Sequence, residues 1–257
     1  MKLRALAQNV NWLGLLTAAV VLACWEGLAA IGLLKFEFFP PPSAIVSGLV
    51  TVVASGELAA QASYTMQSVF AGWAIAMAIG VSLGLLLGAS PRLRRYSISS
   101  IEVLRPIPGI AFLPVALLLF GFSTRMELFV IVLPVLWPIL IGTMSGVMAV
   151  SSRLRDVGQT FRLSRFDVIR KILLPAAAPT IFVGAKISLT LSLVLAIIAE
   201  MVGNPQGLGY AIVSAQQALR PDEMFAYILI VGLIGVVISK IATLATRWVP
   251  ALAVKRA

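Results

Sequence analysis

The sequence predicts an all-α, polytopic membrane protein with six transmembrane helices, and three observations carry that prediction. The first is composition. Of 257 residues, 60% are hydrophobic and only 12% are charged, and the mean hydropathy is +1.01. A soluble domain carries about a quarter charged residues. The second is that the apolar residues fall in blocks of about 20 or more, the length that crosses a bilayer. The third is the uneven placement of the 20 Lys and Arg. They cluster in alternate connections, as the positive-inside bias requires.

The same numbers exclude several functions. A net charge of +10 and a pI near 10.5 would suggest nucleic acid as the partner of a soluble protein. Here the loop bias accounts for the charge, and no nucleic-acid partner is expected. There is no His and one Cys. That removes the commonest general base and metal ligand, and it excludes an intrachain disulfide. No P-loop and no metal-ligand spacing occur, so neither catalytic residues nor a metal site are assigned. Gly80-Val81-Ser82-Leu83-Gly84 fits the G-x-S-x-G pattern of serine hydrolases. That pattern needs a strand-turn-helix setting and a His partner, and the chain offers neither.

Taken in order, the chain opens with Lys2 and Arg4 and then an apolar run over about 10–34. The run exceeds the roughly 7–15 apolar residues of a cleavable signal, so it reads as an uncleaved first span with Glu26 near its outer end or facing protein. Phe36, Phe38 and Phe39 read as an interfacial anchor. Pro40-Pro41-Pro42 forces an extended turn. Ser43 is then placed to cap a short helix ending near Gly56. The second span covers about 60–89, with Gly80, Gly84 and Gly88 forming a ridge of small residues for close helix packing. Pro91, Arg92, Arg94 and Arg95 make a short basic loop.

The third span, about 98–121, holds Arg105, Pro106, Pro108 and Pro114. Three prolines in one apolar stretch predict a kinked or interrupted helix, serving either packing alone or a pathway lining. A tight turn at 122–126 leads to the fourth span, about 127–149, with Pro134 and Pro138 inside it and a Gly142/Gly146 contact. The fifth span covers about 176–202. Lys186 within it must snorkel, pair or line a pathway. Glu200 and Met201 close it. A short amphipathic helix is expected around 211–219, and the sixth span over about 223–246.

Between the fourth and fifth spans lies the one long polar segment, 151–175. It carries Arg153, Arg155, Arg162, Arg165, Arg170 and Lys171 against only Asp156 and Asp167. Its pattern is helix, turn, helix. Leu154, Val157, Gly158 and Phe161 share a face at helical spacing. Ser164 with Asp167 resembles a capping box, and Pro175 ends the second piece or starts the next helix. From pattern alone this is either an amphipathic hairpin lying on anionic lipid or a docking knob for a cytosolic partner. Fourteen cationic residues lie on its side of the membrane, counting Lys2, Arg4, Arg247, Lys255 and Arg256. Lys35, Arg125 and Arg220 face the other side. That asymmetry puts both termini and segment 151–175 in the cytoplasm.

The segment resembles the cytoplasmic loop of binding-protein-dependent ABC importer permeases. The family pattern is Glu-Ala-Ala, three residues, Gly, nine residues, Ile-x-Leu-Pro. Here it reads Asp156-Val157-Gly158, three residues, Arg162, nine residues, Ile172-Leu173-Leu174-Pro175. Arg162 stands where the family has Gly. FPPPSAIVSGLV, RPIPGIAFLP and AEMVG with GLGY are similar to phrases of the nitrate, sulfonate, taurine and bicarbonate group, in the expected order.

The resemblance implies a type I ABC importer permease fold in a bacterial inner membrane, organised as one transmembrane domain over 1–257 with core spans over about 60–246. Its partners would be a second permease chain in a homodimer, two ATPase subunits carrying ATP and Mg, an external substrate-binding protein, and membrane lipid. The permease itself would be no enzyme and hold no cofactor. Coupling to the ATPase would fall to Asp156, Val157, Gly158, Phe161, Arg162, Leu163, Phe166 and Pro175. Pathway or gate candidates are Arg105, Pro106, Pro108, Lys186, Glu200 and Met201. A small anion such as sulfonate, taurine or nitrate is the implied substrate, with a heterocyclic vitamin precursor as the alternative. Outside the resemblance, a standalone secondary transporter remains open. Arg162 is expected to meet an acid, in the ATPase or at Asp156 or Asp167.

Overall fold

The computed structural model describes residues 12–33 and 38–247. Lys2, Arg4, Lys35, Phe36, Lys255 and Arg256 lie outside the described residues. Within them the regular structure is all helical: α1 (Trp12–Ala30), α2 (Pro42–Ala54), α3 (Leu58–Ala89), α4 (Pro91–Leu104), a 3-10 turn (Gly109–Phe112) leading into α5 (Leu113–Phe120), α6 (Thr124–Met148), α7 (Ser152–Thr160), α8 (Arg165–Val168), a π turn (Ile169–Leu173) leading into α9 (Leu174–Gly203), α10 (Leu208–Gln217) and α11 (Pro221–Arg247). Five helical runs are long and apolar enough to cross a membrane, namely α1, α3, α6, the α8–α9 run and α11. A sixth is the pair α4 and α5, bent by 83°. The expected interruption of the third span is therefore present. Its cause is local, because Pro106 and Pro108 supply no N–H to continue the helix, although Arg105 before Pro106 still keeps helical dihedrals.

Several boundaries differ from the sequence reading, each for a local reason. Pro91–Arg95 is the first turn of α4 rather than a loop. Ser90 caps it, its Oγ accepting from Leu93 N at 3.4 Å, and proline is well placed in a first turn. α6 begins inside the expected turn, at Thr124, with Ser123 Oγ accepting from Met126 N at 3.4 Å. Ser43 does not cap α2. The cap residue is Pro41, and the carboxylate of Glu26, seventeen residues earlier, accepts from Ser43 N at 3.0 Å and Ser43 Oγ at 2.7 Å. An acid in an apolar span thereby satisfies donors of a helix start. α10 starts at Leu208, ahead of the expected 211.

The chain divides into two compact units. Among the described residues, one comprises α1, α2 and residues 212–229. There Trp25 stacks on Phe39 at 4.7 Å, and Phe39 meets Phe225 edge-on at 5.7 Å. The other comprises residues 58–211 and the chain from 230 on. Its centre is α3, α6 and α9 packed on one another. The glycine ridge of α3 seats α6: a Cβ on Gly80 would lie 2.8 Å from Ile139, one on Gly84 2.5 Å from Thr143, and one on Gly88 2.7 Å from Val147. On the other face of α6, Gly142 and Gly146 meet Thr180 of α9. Side chains the size of hydrogen let these backbones approach as membrane helices require. Ser188 of α9 donates to the Val135 carbonyl at 2.8 Å, between the two prolines of α6. The 3-10 turn rests on the same stretch, with Gly109 against the Pro134 ring.

Candidate functional site

The polar segment forms around one backbone feature. α7 ends in a left-handed residue, Arg162 with φ +49°, and Leu163 N donates back to the Gly158 carbonyl at 2.9 Å. This six-to-one bond is the Schellman closure, whose left-handed position glycine usually fills. The backbone turn is thus kept with arginine in it. Ser164 then opens α8. Its Oγ accepts from Asp167 N at 3.1 Å and donates to Asp167 Oδ2 at 2.7 Å, so the carboxylate binds the hydroxyl rather than completing a capping box through the backbone. Gly158 packs on Val168 and Ile172, where an added Cβ would lie 3.2 Å from each.

Of the two expected roles of Pro175, the structure takes the second: it stands in the first turn of α9 and does not end the helix before it. The second helix passes through the π turn at Ile169–Leu173 into α9. Proline lacks an N–H and crowds the carbonyl four residues back, and a π turn absorbs such a mismatch within a continuing helix. Phe161 and Phe166 flank the Arg162 corner and are 72% and 69% exposed. Asp156 is exposed as well. The expected intramolecular partners of Arg162 are not used. Asp167 is taken by Lys171 at 2.7 Å, and Arg162 makes no ion pair among the described residues. Instead Arg162, Arg165 and Arg92 line a cavity of about 780 Å³ floored by Leu86, Val168 and Leu173.

A second cavity, of about 670 Å³, opens along the broken span. Arg105, Pro106 and Pro108 line it together with Pro134, Trp137 and Pro138 of α6 and Thr180 and Gly184 of α9. Of the other pathway candidates, Lys186, Glu200 and Met201 are absent from that lining. Lys186 is half-buried, and Met201 is 39% exposed.

Glu200 belongs to a third region, which sequence reasoning only half found. It is 1% exposed, and Glu127 of α6, which was not singled out, is fully buried. Glu200 Oε2 accepts from Thr65 Oγ1 at 3.0 Å and from Gly209 N at 2.8 Å. Glu127 Oε2 accepts from Tyr64 OH at 3.3 Å and Asn204 Nδ2 at 3.0 Å. Gly207 N donates to Gln61 Oε1 at 2.6 Å, and Leu208 N to Thr65 Oγ1 at 2.9 Å. Three successive amides at the start of α10 are thus satisfied by side chains of α3 and α9. Gly207 sits at φ +96° with Glu200 against its Cα, a place with no room for a side chain. Glu127 gave no signal because an acid in the first turn of a helix is ordinary.

Comparison with known proteins concerns the chain as a whole. Residues 76–252 match the family model described as binding-protein-dependent transport system inner membrane component. The chain belongs to this family. It is 30% identical over 229 residues to a putative aliphatic sulfonates transport permease protein of Bacillus subtilis, covering 89% of this chain and 83% of the relative. It is 35% identical to a nitrate import permease protein of Leptolyngbya laminosa (74% and 68% covered) and 29% identical to the taurine transport system permease protein of Escherichia coli (85% and 82%). Among solved structures it resembles the inward-facing MetNI methionine ABC transporter, with a TM-score of 0.57 at 17% identity over 72% of this chain and 92% of that one. This likeness concerns the fold, that of a type I ABC importer permease, and the family membership makes the chain a multi-pass transport subunit. The family match contains the Arg162 corner, the broken span and both buried acids.

Proposed function

We propose that this chain is the membrane-spanning subunit of an ATP-driven importer in a bacterial inner membrane. It acts as a homodimer with two ATPase subunits and an external binding protein, and it forms the pathway for a small anion such as a sulfonate, taurine or nitrate. The chain performs no covalent chemistry, and ATP and Mg reside on the partner. The observation that carries this reading is the Arg162 corner. It projects two exposed phenylalanines, Phe161 and Phe166, from a segment with the family's spacing, as a knob for a cytosolic groove. ATP-driven closure of the ATPase pair would draw two such knobs together and move the bundles as rigid bodies. The broken span supports a pathway role for Arg105, Pro106 and Pro108, since irregular backbone at membrane depth belongs beside protein or a wet cavity. Family relatives named for sulfonate, nitrate and taurine transport support the anion class.

The test is co-purification of the full chain with its ATPase, followed by uptake in proteoliposomes. ATP-dependent uptake is expected. Uptake by the chain alone, driven by a proton gradient, would show a secondary transporter instead. Orientation is read by cysteine labelling in intact cells after Cys24→Ser. A cysteine at Pro41 should label from outside and one at Ser164 should not, and the reverse pattern would overturn the topology.

A further inference from the structure

The cavity beside the Arg162 corner carries charge that its own walls do not balance. Arg92, Arg162 and Arg165 line it, and no acidic residue does. None of the three makes an ion pair or a side-chain hydrogen bond among the described residues. Asp167, two residues from Arg165, is held by Lys171 and Ser164. Three guanidinium groups around one space repel one another unless an anion enters. Ser90 and Pro91 also stand in the wall, at the start of α4, and a helix start favours negative charge. The rest of the lining is largely apolar. Leu86 comes from the last turn of α3, and Leu163, Val168, Ile169 and Leu173 come from the corner and the chain after it. A small hydrophilic anion would leave that floor in contact with water. An anion with an apolar tail would cover it.

The surface of α3 shows where such a tail would lie. Ile75, Ile79, Leu83 and Leu86 are all exposed, and their spacing puts them on one side of the helix. They form an apolar track along the span that ends in the cavity. α3 has 32 residues, about 48 Å of helix, against a hydrocarbon core of about 30 Å. Its ends therefore extend to the level of the lipid headgroups. We infer that this cavity binds an anionic phospholipid, its phosphate held by Arg92, Arg162 and Arg165 and one acyl chain laid along Leu86, Leu83 and Ile79. Arginine meets phosphate with two parallel N–H bonds, and basic pockets between membrane helices take such headgroups. The volume of about 780 Å³ suits a ligand, since pockets hold theirs in about 300–1,000 Å³. The sequence left lipid and a protein as alternative partners of segment 151–175. The two demands fall on different side chains: Phe161 and Phe166 do not line the cavity, and Arg162 and Arg165 do. The phosphate bridges the corner to the start of α4.

The test uses the full chain in nanodiscs of phosphatidylcholine, alone or mixed with phosphatidylglycerol. An arginine-specific dicarbonyl reagent reads the site through peptide mass spectrometry, with no mutation needed. Arg92 and Arg165 should react in the neutral lipid and be protected about tenfold in the anionic mixture. Arg95 is exposed and does not line the cavity, and it should react alike in both. Native mass spectrometry of chain released from the mixture should show phosphatidylglycerol retained in preference to phosphatidylcholine. Arg92→Gln with Arg165→Gln should weaken that retention about tenfold or more, and Arg95→Gln should not. Leu86→Gln should also weaken it, because the acyl track is interrupted. Equal reactivity of Arg92 and Arg165 in the two lipids, or equal retention in the double variant, would overturn the proposal. Protection by inorganic phosphate in phosphatidylcholine as strong as that by phosphatidylglycerol would overturn it in favour of a soluble anion. Protection that appears only when the ATPase is added would overturn it in favour of an acidic partner surface. The lipid readouts need neither ATP nor substrate, so they stand apart from the transport reading.

Discussion

The Arg162 corner and the Glu127–Glu200 cluster treat polar groups in opposite ways. At the corner the charged groups stay in water. Asp167 and Lys171 pair on the surface, and the arginines line an open cavity. At the cluster the acids are out of water and each is held by named donors. Exposed pairs contribute about 0–1 kcal/mol, so the corner is free to be shaped by what it contacts. Buried polar groups must be matched one by one, so the cluster constrains three helices and a loop. One region leaves its side chains open to solvent, and the other ties the fold's own helices and loop together.

The largest effect should come from breaking the cluster. Glu200→Ala removes the acceptor of Gly209 N and Thr65 Oγ1 and leaves a buried void. A loss of about 2–4 kcal/mol is expected, read as a lowered unfolding midpoint in nanodiscs. A midpoint within error of wild type would mean that the cluster does not hold the loop.

At the corner the reverse split is expected. Phe161→Ala with Phe166→Ala should leave stability within about 0.5 kcal/mol. Association with the ATPase should weaken at least tenfold, about 1.4 kcal/mol. Unchanged ATPase affinity would end the docking role of the corner. A collapse in stability would show that the two rings are structural after all.

The smallest effect sharpens the same contrast. Arg162→Gly relieves a left-handed arginine and should stabilise the free chain by about 1 kcal/mol. If Arg162 serves the ATPase interface, binding weakens although the chain is more stable. Unchanged affinity and unchanged substrate-stimulated hydrolysis would leave the arginine a tolerated replacement at the turn.

How much was legible in advance differs between the two regions. The corner lies within 25 consecutive residues, and its spacing, its Ser164 cap and its left-handed residue are local features of the chain. What went unseen there was the π turn, because the accommodation of Pro175 depends on how the following helix is anchored, and the Asp167–Lys171 pair, which competed with Arg162. The cluster joins Gln61, Thr65, Glu127, Glu200 and Gly207. Such residues are individually ordinary, and only their convergence makes them a site. Glu26 offers the same lesson in small, since its partner at Ser43 was expected to act alone.

The sequence by itself determined the spans, the break at Pro106–Pro108, the glycine ridge and the family. Each follows from short-range chemistry: apolar runs that match a bilayer, prolines that cannot continue a helix, small residues repeated on one face, and motif spacing. The tertiary structure decided which acids lose their water and which donors replace it. It also decided that Lys186, Glu200 and Met201 lie off the cavity lined by Arg105. Burial and hydrogen-bond partnership arise between segments as distant as Thr65 and Glu200. No local pattern encodes them, because the cost of an unpaired polar group is set by the neighbours that packing brings to it.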